Sequence, residues 1–348
     1  MARGAEEERV TVVGKLVIQD GVSASKLLLL MRKFRDAVEM AHSMLYKKQL
    51  SETEVKRRLT RYLSNAWYAN SAIKVAKLYR EQDHIKLRKP LLYSVGSSDE
   101  KGNRNIKFTS TDSVLVKFPR ESGSHEWIEC KVLFGKKQLP VISELITGSY
   151  TYGAGISIKV KRSEDWRSMW KKRLIIYVNI PIELYAKHRR VGGVPTNSGA
   201  ELWAGFDFNV DRVCVAIVDS AGRLRDVKTR LFSNAVNTPS EVSKTIREEA
   251  LAELVKYAVA HGVKHLVVES LERPGRVKGK VGKWALRQYI QHLRVLARRH
   301  NVDVVEVSPA YSSIDAIGVA LALGLDRHTA SAYLIALRGL AHQIKKMK

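Results

Sequence analysis

The chain has 348 residues and a formal net charge of +25, because 60 lysines and arginines outnumber 35 aspartates and glutamates. A chain of this length can form two or three domains with separate cores. Such a charge is far outside the range of an ordinary cytosolic enzyme, and it attracts polyanions, of which nucleic acid is the commonest.

Neither a membrane partner nor a zinc site is expected. No stretch reaches the roughly 18 consecutive apolar residues of a membrane-spanning helix. Glu6, Glu7 and Glu8 stand where a signal peptide has a basic flank and an apolar core, so we expect a cytoplasmic, nucleoid-associated protein. Cys130 and Cys214 are too few for a disulfide framework or a zinc ribbon. Oxygen or histidine ligands would therefore hold any metal, and the sequence sets no oligomeric state.

The N-terminal part of the chain alternates between strand and helix patterns. The predicted elements are a strand from Arg9 to Ile18, a helix capped by Ser23 or Ser25 and ending near Tyr46, and a helix that begins after Ser51 and ends near Arg80. The polar faces of both helices are rich in lysine and arginine. A basic face is usually only solvated, but two in succession in so basic a chain favour a surface that follows phosphates.

Short strands follow, separated by glycine, serine, aspartate and proline. Five strand patterns between Ile106 and Ile182, with a short helix at Leu139–Ile146, predict a small β-barrel or sandwich. Its aromatic residues lie among cations, so they either form the core or stack nucleobases. They are Trp127, Tyr150, Tyr152, Trp166, Trp170 and Tyr177. Residues 189–201 are rich in glycine, proline and serine and lack periodicity, which indicates a linker.

The C-terminal part has the element order of an RNase H-like domain. Tight turns connect three strands that should form an antiparallel meander, followed by helix, strand, helix, strand and helix. The ranges are strands at Trp203–Phe208, Arg212–Asp219 and Arg223–Phe232, a helix at Ser240–Ala260, a strand at Leu266–Ser270, a helix at Trp284–His300, a strand at Val302–Val307 and a helix at Arg327–Ile344. We therefore expect an α/β protein in which an RNase H-like mixed-sheet domain follows a basic helical segment and a small β-barrel.

Two acidic residues stand at the ends of predicted strands. Asp207 ends the first strand of the meander and Glu269 ends the fourth strand. Neighbouring parallel strands would bring both carboxylates to one edge of the sheet, where they repel each other unless a divalent cation neutralises them. Oxygen ligands suit Mg²⁺ or Mn²⁺, and a third acid would allow two ions for phosphodiester hydrolysis. Taken alone, Asp207 is better explained as a turn cap, so the pairing with Glu269 is what favours a metal site.

Four segments resemble the RuvC-like motifs of the TnpB family, the OrfB-type transposon-encoded proteins related to compact CRISPR effector nucleases. They are GFDFN at 205–209, VVESL at 267–271, SPAYSS at 308–313 and DRHTASAYLIALR at 326–338. The resemblance implies an RNA-guided, metal-dependent DNA endonuclease, with guide RNA and double-stranded DNA as partners and Mg²⁺ or Mn²⁺ as cofactor. The domains it implies are a wedge-like β-barrel at 1–20 and 100–190, a basic helical recognition segment at 21–99, and a RuvC-like nuclease domain at 202–348.

The resemblance assigns the site residues, with one irregular position. Asp207 matches the first acid of the family and Glu269 the second. Where the third acid is expected this chain has His328, and Asp326 lies two positions earlier. Either residue could complete the catalytic set, with Asp207, Glu269 and Asp326 as the metal ligands. An ordinary polar helix position for His328 is the alternative.

A second departure leaves the activity open. The family commonly carries two CxxC pairs before its last acid, but only 12 residues separate Ser313 from Asp326 here and none is a cysteine. A short loop or helix at 314–325 therefore takes the place of the zinc ribbon. Two other functions remain open: a nuclease-inactive, RNA-guided DNA-binding protein that acts like a repressor, and a guide-independent resolvase or transposase on the same fold.

A cationic segment follows Glu269 closely in the sequence. Its charged residues are Arg273, Arg276, Lys278, Lys280 and Lys283. Beside the expected site, such a segment would bind and guide a nucleic-acid strand or act as a lid. A flexible, solvated loop is the alternative.

Overall fold

The computed structural model describes residues 8–100, 102–160, 164–189, 201–232, 240–270, 280–309 and 312–347. The chain divides into two compact units, Met1–His188 and Arg189–Lys348, each with a hydrophobic core. The linker predicted at 189–201 lies outside the described residues except for its two end residues. None of the described helices combines the length and the apolar composition that crossing a membrane requires.

The first unit is built on a seven-stranded antiparallel sheet. The strands of the unit are β1 (Arg9–Val17), β2 (Leu91–Ser94), β3 (Gly96–Ser97), β4 (Gly102–Asn103), β5 (Ile106–Phe108), β6 (Ser113–Pro119), β7 (His125–Leu133), β8 (Gly153–Ile158) and β9 (Leu174–Pro181). The order in the sheet is β2-β8-β9-β1-β7-β6-β5, and β3 pairs with β4 separately. The sheet is curled, and Leu92 on one edge strand and Ile106 on the other belong to the same buried cluster.

The helices of this unit pack against that sheet or flank it. They are α1 (Gly21–His42), α2 (Glu52–Leu63), α3 (Ala66–Lys77), α4 (Leu139–Ile146), α5 (Trp166–Met169) and α6 (Ile182–Lys187). The predicted caps of the first helix, Ser23 and Ser25, are wrong. Asp20 is the N-cap, and its carboxylate accepts a hydrogen bond from the Ser23 backbone nitrogen at 2.7 Å. A charged acceptor binds this amide more strongly than a hydroxyl does.

The single helix predicted from Ser51 to Arg80 is two helices. Ser51 caps α2 as predicted, but Ser64 adopts a left-handed conformation with φ +50° and ends it. Asn65 then caps α3 by accepting a hydrogen bond from the Tyr68 backbone nitrogen at 2.8 Å. The apolar spacing continues through this break, so periodicity alone could not reveal it.

The aromatic residues of the first unit divide between core and surface. Tyr152 and Trp166 are buried, which agrees with the core alternative for these two residues. Tyr177, by contrast, is 37% exposed. The Nζ atoms of Lys107 and Lys117 lie 5.5 and 5.0 Å from the centroid of the Trp127 ring. Base stacking by the accessible rings stays a prediction.

The second unit has the RNase H-like architecture that the element order predicts. Its elements are β10 (Leu202–Phe208), β11 (Arg212–Val218), β12 (Leu224–Leu231), α7 (Ser240–Ala260), β13 (Val263–Glu269), α8 (Lys280–His300), β14 (Asp303–Val307), α9 (Ser312–Leu323) and α10 (Arg327–Met347). The sheet order is β12-β11-β10-β13-β14. The first three strands form an antiparallel meander, and β13 and β14 add to it in parallel.

Helices cover both faces of this sheet. Phe206 and Val268 belong to the cluster that includes residues of α7 and α8. Val267 belongs instead to the cluster that includes Ile335 and Ala336 of α10. Side chains therefore alternate between the α7/α8 face and the α10 face along each central strand, as the pleat of a strand requires.

Two glycines bring α10 close to the sheet. A Cβ atom at Gly205 would stand 2.1 Å from the carbonyl oxygen of Ala332 and 2.4 Å from the backbone nitrogen of Ala336. A Cβ atom at Gly339 would stand 2.4 Å from a methyl group of Val267. The backbone of a packed helix cannot move aside as the end of a flexible side chain can. The absence of a side chain at Gly205 therefore sets how closely α10 approaches β10.

We expect Gly205→Ala to lower the free energy of unfolding by roughly 3 kcal/mol, at the upper end of the range for overpacking, because the new methyl group meets helix backbone. Gly318→Ala on α9 is the control, since no atom lies within 4 Å of its added Cβ. That change should stabilise the helix by up to about 1 kcal/mol. Urea denaturation measures both effects. A Gly205→Ala protein as stable as the parent would contradict the contact between α10 and β10.

Candidate active site

Asp207 lies near the end of β10, the central strand of the second unit. Gly205 and Asp207 share a face, because side chains alternate along a strand. That face is covered by α10, whereas Phe206 points to the α7/α8 face. The alternation along β10 thus places a single carboxylate beneath the start of α10.

Three polar side chains surround the Asp207 carboxylate. Asn209 Nδ2 donates a hydrogen bond to Oδ2 at 2.7 Å, and Ser331 Oγ donates to Oδ1 at 3.4 Å. His328 Nδ1 lies 3.1 Å from Asp207 Oδ2 and 3.0 Å from Asn209 Nδ2. Asn209 and His328 therefore hold the same carboxylate oxygen and also meet each other.

Burial governs the charge state of Asp207, whose side chain is only 15% exposed. Loss of water raises the pKa of the carboxyl above its usual value, although the bonds from Asn209, His328 and Ser331 act in the opposite direction. The protein therefore keeps this residue where its charged form is disfavoured. A cation beside it would stabilise that charged form.

Glu269 lies opposite Asp207 on the neighbouring strand. β10 and β13 run in parallel with Gly205 in register with Val267, and two residues further along each strand are Asp207 and Glu269. Val267 packs on the α10 face, so Glu269, two residues later, is directed to that face as well. Adjacent strands are about 4.8 Å apart. The sheet thus brings both acids to one edge and one face.

Asp326 forms the cap at the start of α10. Its Oδ1 accepts hydrogen bonds from the backbone nitrogens of His328 at 2.9 Å and Thr329 at 3.2 Å, and its Oδ2 accepts one from the Thr329 hydroxyl. Burial would raise the pKa of Asp326, but these hydrogen bonds outweigh burial and hold that pKa below its usual value. Asp326 and His328 are the two candidates for the third site residue, and His328 is the one that contacts Asp207.

Three residues of the site were not predicted from the sequence. Asn209 and Ser331 bind Asp207 directly, and the Tyr289 hydroxyl donates to the Asn209 carbonyl oxygen at 3.3 Å. The Tyr289 ring stacks on Phe208 with centroids 4.8 Å apart. Asn209 lies two residues after Asp207, and Ser331 lies one helical turn after His328. The motifs that contain Asp207 and His328 therefore also contain these two residues. No sequence signal connects Tyr289 to them.

The cationic segment contributes no described contact to this site. Arg273, Arg276 and Lys278 lie outside the described residues. Lys280 and Lys283 belong to the first turn of α8, but their side chains lie outside the described part of the chain. A strand-guiding role for these five residues stays a prediction.

The carboxylates of the site are suited to a hard divalent ion, although they do not enclose one by themselves. Among the described residues, no three histidine, cysteine, aspartate or glutamate side chains are placed to enclose a metal by themselves. Mg²⁺ rarely has such an enclosure, since it is usually held by one or two carboxylates together with water and substrate phosphate. Asp207 and Glu269 would provide those two carboxylates. The buried charge of Asp207 agrees with this use.

Comparison with known proteins relates most of the chain to uncharacterized proteins of two organisms and to the fold of a solved structure. Residues 9–190 match a family model described as the SSO2105 N-terminal domain. The uncharacterized protein SSO2105 of Saccharolobus solfataricus is 32% identical over 95% of this chain and 92% of its own length. An uncharacterized protein of Aeropyrum pernix is 30% identical over 68% of this chain and 67% of its own.

Among solved structures, the Cas12f1–sgRNA–target DNA complex is similar over 90% of this chain and 82% of the compared chain, with a TM-score of 0.52 and 10% identity. At that identity the similarity shows a shared fold. RuvC of Thermus thermophilus in complex with a Holliday junction substrate is similar over 41% of this chain and 96% of the compared chain, with a TM-score of 0.33 and 16% identity.

Divalent cations should stabilise the parent protein through Asp207 and Glu269. At about 100 times its dissociation constant, a bound ion should add about 2.7 kcal/mol to the free energy of unfolding. Asp207→Asn and Glu269→Gln should lose this increment. Without metal, Asp207→Asn should be at least as stable as the parent, because it removes a buried charge.

Thermal denaturation with and without Mg²⁺ or Mn²⁺ measures these effects. Asp303→Asn is the matched control, since Asp303 begins β14 at the opposite end of the parallel strands. This variant should respond to metal as the parent does. An unchanged metal response in Asp207→Asn would place the ion elsewhere.

Proposed function

This chain belongs to the SSO2105 family, and we propose that it is an RNA-guided, metal-dependent DNA endonuclease of the TnpB type. One observation carries the proposal: Asp207 and Glu269 lie at the same end of neighbouring parallel strands, each two residues beyond the registered pair Gly205–Val267, on the face where α10 supplies His328. Paired carboxylates at one sheet edge are suited to a divalent ion that acts on a phosphodiester. The net charge of +25 provides the attraction for such a substrate.

The residues around Asp207 prepare the site for this chemistry. Mg²⁺ or Mn²⁺, when bound by Asp207 and Glu269, supplies an activated water and offsets charge on the scissile phosphate. Asn209 and Ser331 fix the Asp207 carboxylate by hydrogen bonds, and Tyr289 fixes Asn209 through its carbonyl oxygen. His328 Nδ1 lies 3.1 Å from Asp207 Oδ2, where an Nδ1–H would donate a hydrogen bond to the carboxylate and an unprotonated Nδ1 could add a nitrogen ligand.

We assign guide RNA and double-stranded DNA as the partners. The charge of the chain supports both, and the complex of the structurally similar Cas12f1 contains a guide RNA and target DNA. In this scheme, residues 1–20 and 100–190 act as a wedge-like barrel, 21–99 as a recognition segment and 202–348 as the nuclease. The segment from Arg273 to Lys283 guides a DNA strand, and the protein acts at the nucleoid.

A nuclease-inactive, RNA-guided DNA-binding protein is the second candidate. Both carboxylate oxygens of Asp326 accept hydrogen bonds at the start of α10. Among the residues described, no third acid therefore contacts Asp207, and this favours the second candidate. Protein loaded with its copurifying RNA, tested on matched DNA with Mn²⁺, separates the candidates. Binding without any nick would decide for the inactive protein.

Asp207→Ala and Glu269→Ala should each abolish Mg²⁺-dependent cutting of DNA matched to the copurified RNA. Loss of metal assistance removes several kcal/mol of transition-state stabilisation, which corresponds to a rate loss of about 10³-fold or more. Affinity for nucleic acid should stay within about twofold, because most of it comes from contacts with phosphates elsewhere. Asp303→Ala is the control and should cut normally. Undiminished cutting by either variant would remove the catalytic role.

His328 and Asp326 can be separated by paired substitutions. His328→Ala should reduce cutting by about 10²-fold, the usual scale for loss of a positioned acid or base. Asp326→Ser retains an oxygen that can cap α10, so its cutting rate should stay within about threefold of the parent. Single-turnover rates with saturating RNA measure both. The reverse ranking would make Asp326 the third site residue.

A further inference from the structure

A groove of about 890 Å³ opens on the first unit, within the roughly 300–1,000 Å³ typical of ligand sites. Residues of β2, β8 and β9 line it, together with Lys74 and Val75 of α3 and Leu78, which follows α3. We refer to it as the β8 groove. None of the described residues that line it is acidic, although the chain contains 35 acids. Arg9 and Lys74 are the charged residues of the described lining, so the β8 groove is suited to an anionic ligand.

Glycines on β8 allow an aromatic ring to lie flat in the β8 groove. Tyr93 of β2 is in register with Gly155. A Cβ atom at Gly155 would stand 3.2 Å from Cδ2 of the Tyr93 ring, and one at Gly153 would stand 2.4 Å from the Tyr93 hydroxyl. The ring therefore extends across both glycines while remaining partly exposed. Any side chain at Gly153 would displace it.

Two further rings line the β8 groove. Tyr177 of β9 is in register with Gly155 from the other side, and it is 37% exposed. Trp67 of α3 also lines the β8 groove, and its indole nitrogen donates to the Val95 carbonyl oxygen at 3.0 Å. Three aromatic side chains thus surround one cavity.

Cations accompany these rings. The Arg9 guanidinium donates to the carbonyl oxygens of Thr151 and Asn179, both at 3.2 Å, so its position in the β8 groove is fixed. Burial raises the pKa of Tyr93 above its usual value, although the charge of Arg9 acts in the opposite direction. Lys74 is exposed on α3. The Arg104 guanidinium lies 4.8 Å from the centroid of the Trp67 ring.

We propose that the β8 groove binds unpaired nucleotides of a single-stranded polynucleotide, with a base stacked on Tyr93 or Tyr177 and phosphates near Arg9 and Lys74. Proteins that bind single strands combine stacking rings with a cationic groove in this way. A duplex already stacks its bases on each other and has no free base face to offer. The shared chemistry fits unpaired RNA or an unwound DNA strand, and it rests on the proposed nucleic-acid partners but not on cleavage.

Photocrosslinking of the full-length protein in metal-free buffer locates the bound strand. The probes are single strands of RNA and of DNA, about 12 nucleotides long, which carry 5-iodouracil, together with a duplex and an abasic strand of the same length. Peptide mapping should find crosslinks at Tyr93, Tyr177 or Trp67 with either single strand. The strand that binds more tightly, RNA or DNA, shows which of the two nucleic acids occupies the β8 groove. Crosslinks found only at other residues, or at these rings with the duplex alone, would overturn the proposal.

Matched variants test the stacking contribution. Tyr93→Phe keeps the ring and should bind the single strand as the parent does, whereas Tyr93→Thr should bind about tenfold more weakly. Tyr177→Ser and Lys74→Gln change exposed side chains and should also weaken binding without unfolding the protein. Lys264→Gln, an exposed position near the start of β13 and outside the β8 groove, removes the same charge as a control.

Fluorescence anisotropy measures these affinities, and circular dichroism confirms that each variant is folded. Equal binding by the parent, Tyr93→Thr and Tyr177→Ser, or an abasic strand that binds as tightly as the normal one, would overturn the stacking role. A cutting assay on the parent separates strand binding in the β8 groove from the proposed cleavage. If the parent fails to cut DNA but its crosslinks in the β8 groove persist, the nuclease proposal fails and this one stands.

Discussion

The close approach of α10 to β10 is the constraint on which the candidate site depends. Because Gly205 has no side chain, the helix backbone at Ala332 contacts the strand two residues before Asp207. The same helix begins only a turn earlier, so His328 and Ser331 reach the carboxylate from above. A larger residue at position 205 would separate helix and strand and would open the contacts of 3.1 and 3.4 Å that these two side chains make. The packing of α10 on this face of the sheet therefore also determines the geometry of the site.

That geometry requires a buried negative charge in a strongly basic chain. Asp207 is held where loss of water disfavours its charged form, and the sheet register brings Glu269 to the same edge. Neither feature stabilises the fold by itself, since like charges repel and buried charges cost free energy. A cation at this edge would offset both costs. The arrangement is thus expected of a site maintained for function, where stability is given up locally.

The fold of the second unit could be predicted from the sequence because its elements have strong and different periods. Alternating strands joined by tight turns fix the meander, and the apolar β13 indicates a strand covered on both faces, as the structure shows. The first unit was less accessible. Ser64 and Asn65 interrupt an apolar stripe that continues on both sides of them, and Asp20 competes with nearby serines as a cap. Local hydrogen bonds determine where these helices begin and end, and the apolar periodicity of a sequence does not reveal those hydrogen bonds.

The third site position shows why motif spacing alone could not complete the site. Alignment of the last motif puts His328 at the position of the third acid and Asp326 two positions earlier, and helix geometry gives the two residues different roles. Asp326 precedes the first helical residue, where a carboxylate satisfies free backbone amides. His328 lies one turn before Ser331 on the face that packs against β10, so its ring reaches Asp207. A histidine in place of an acid also removes one negative charge from the site. Two carboxylates attract Mg²⁺ less strongly than three, so this site would depend more on the substrate phosphate to hold its ion.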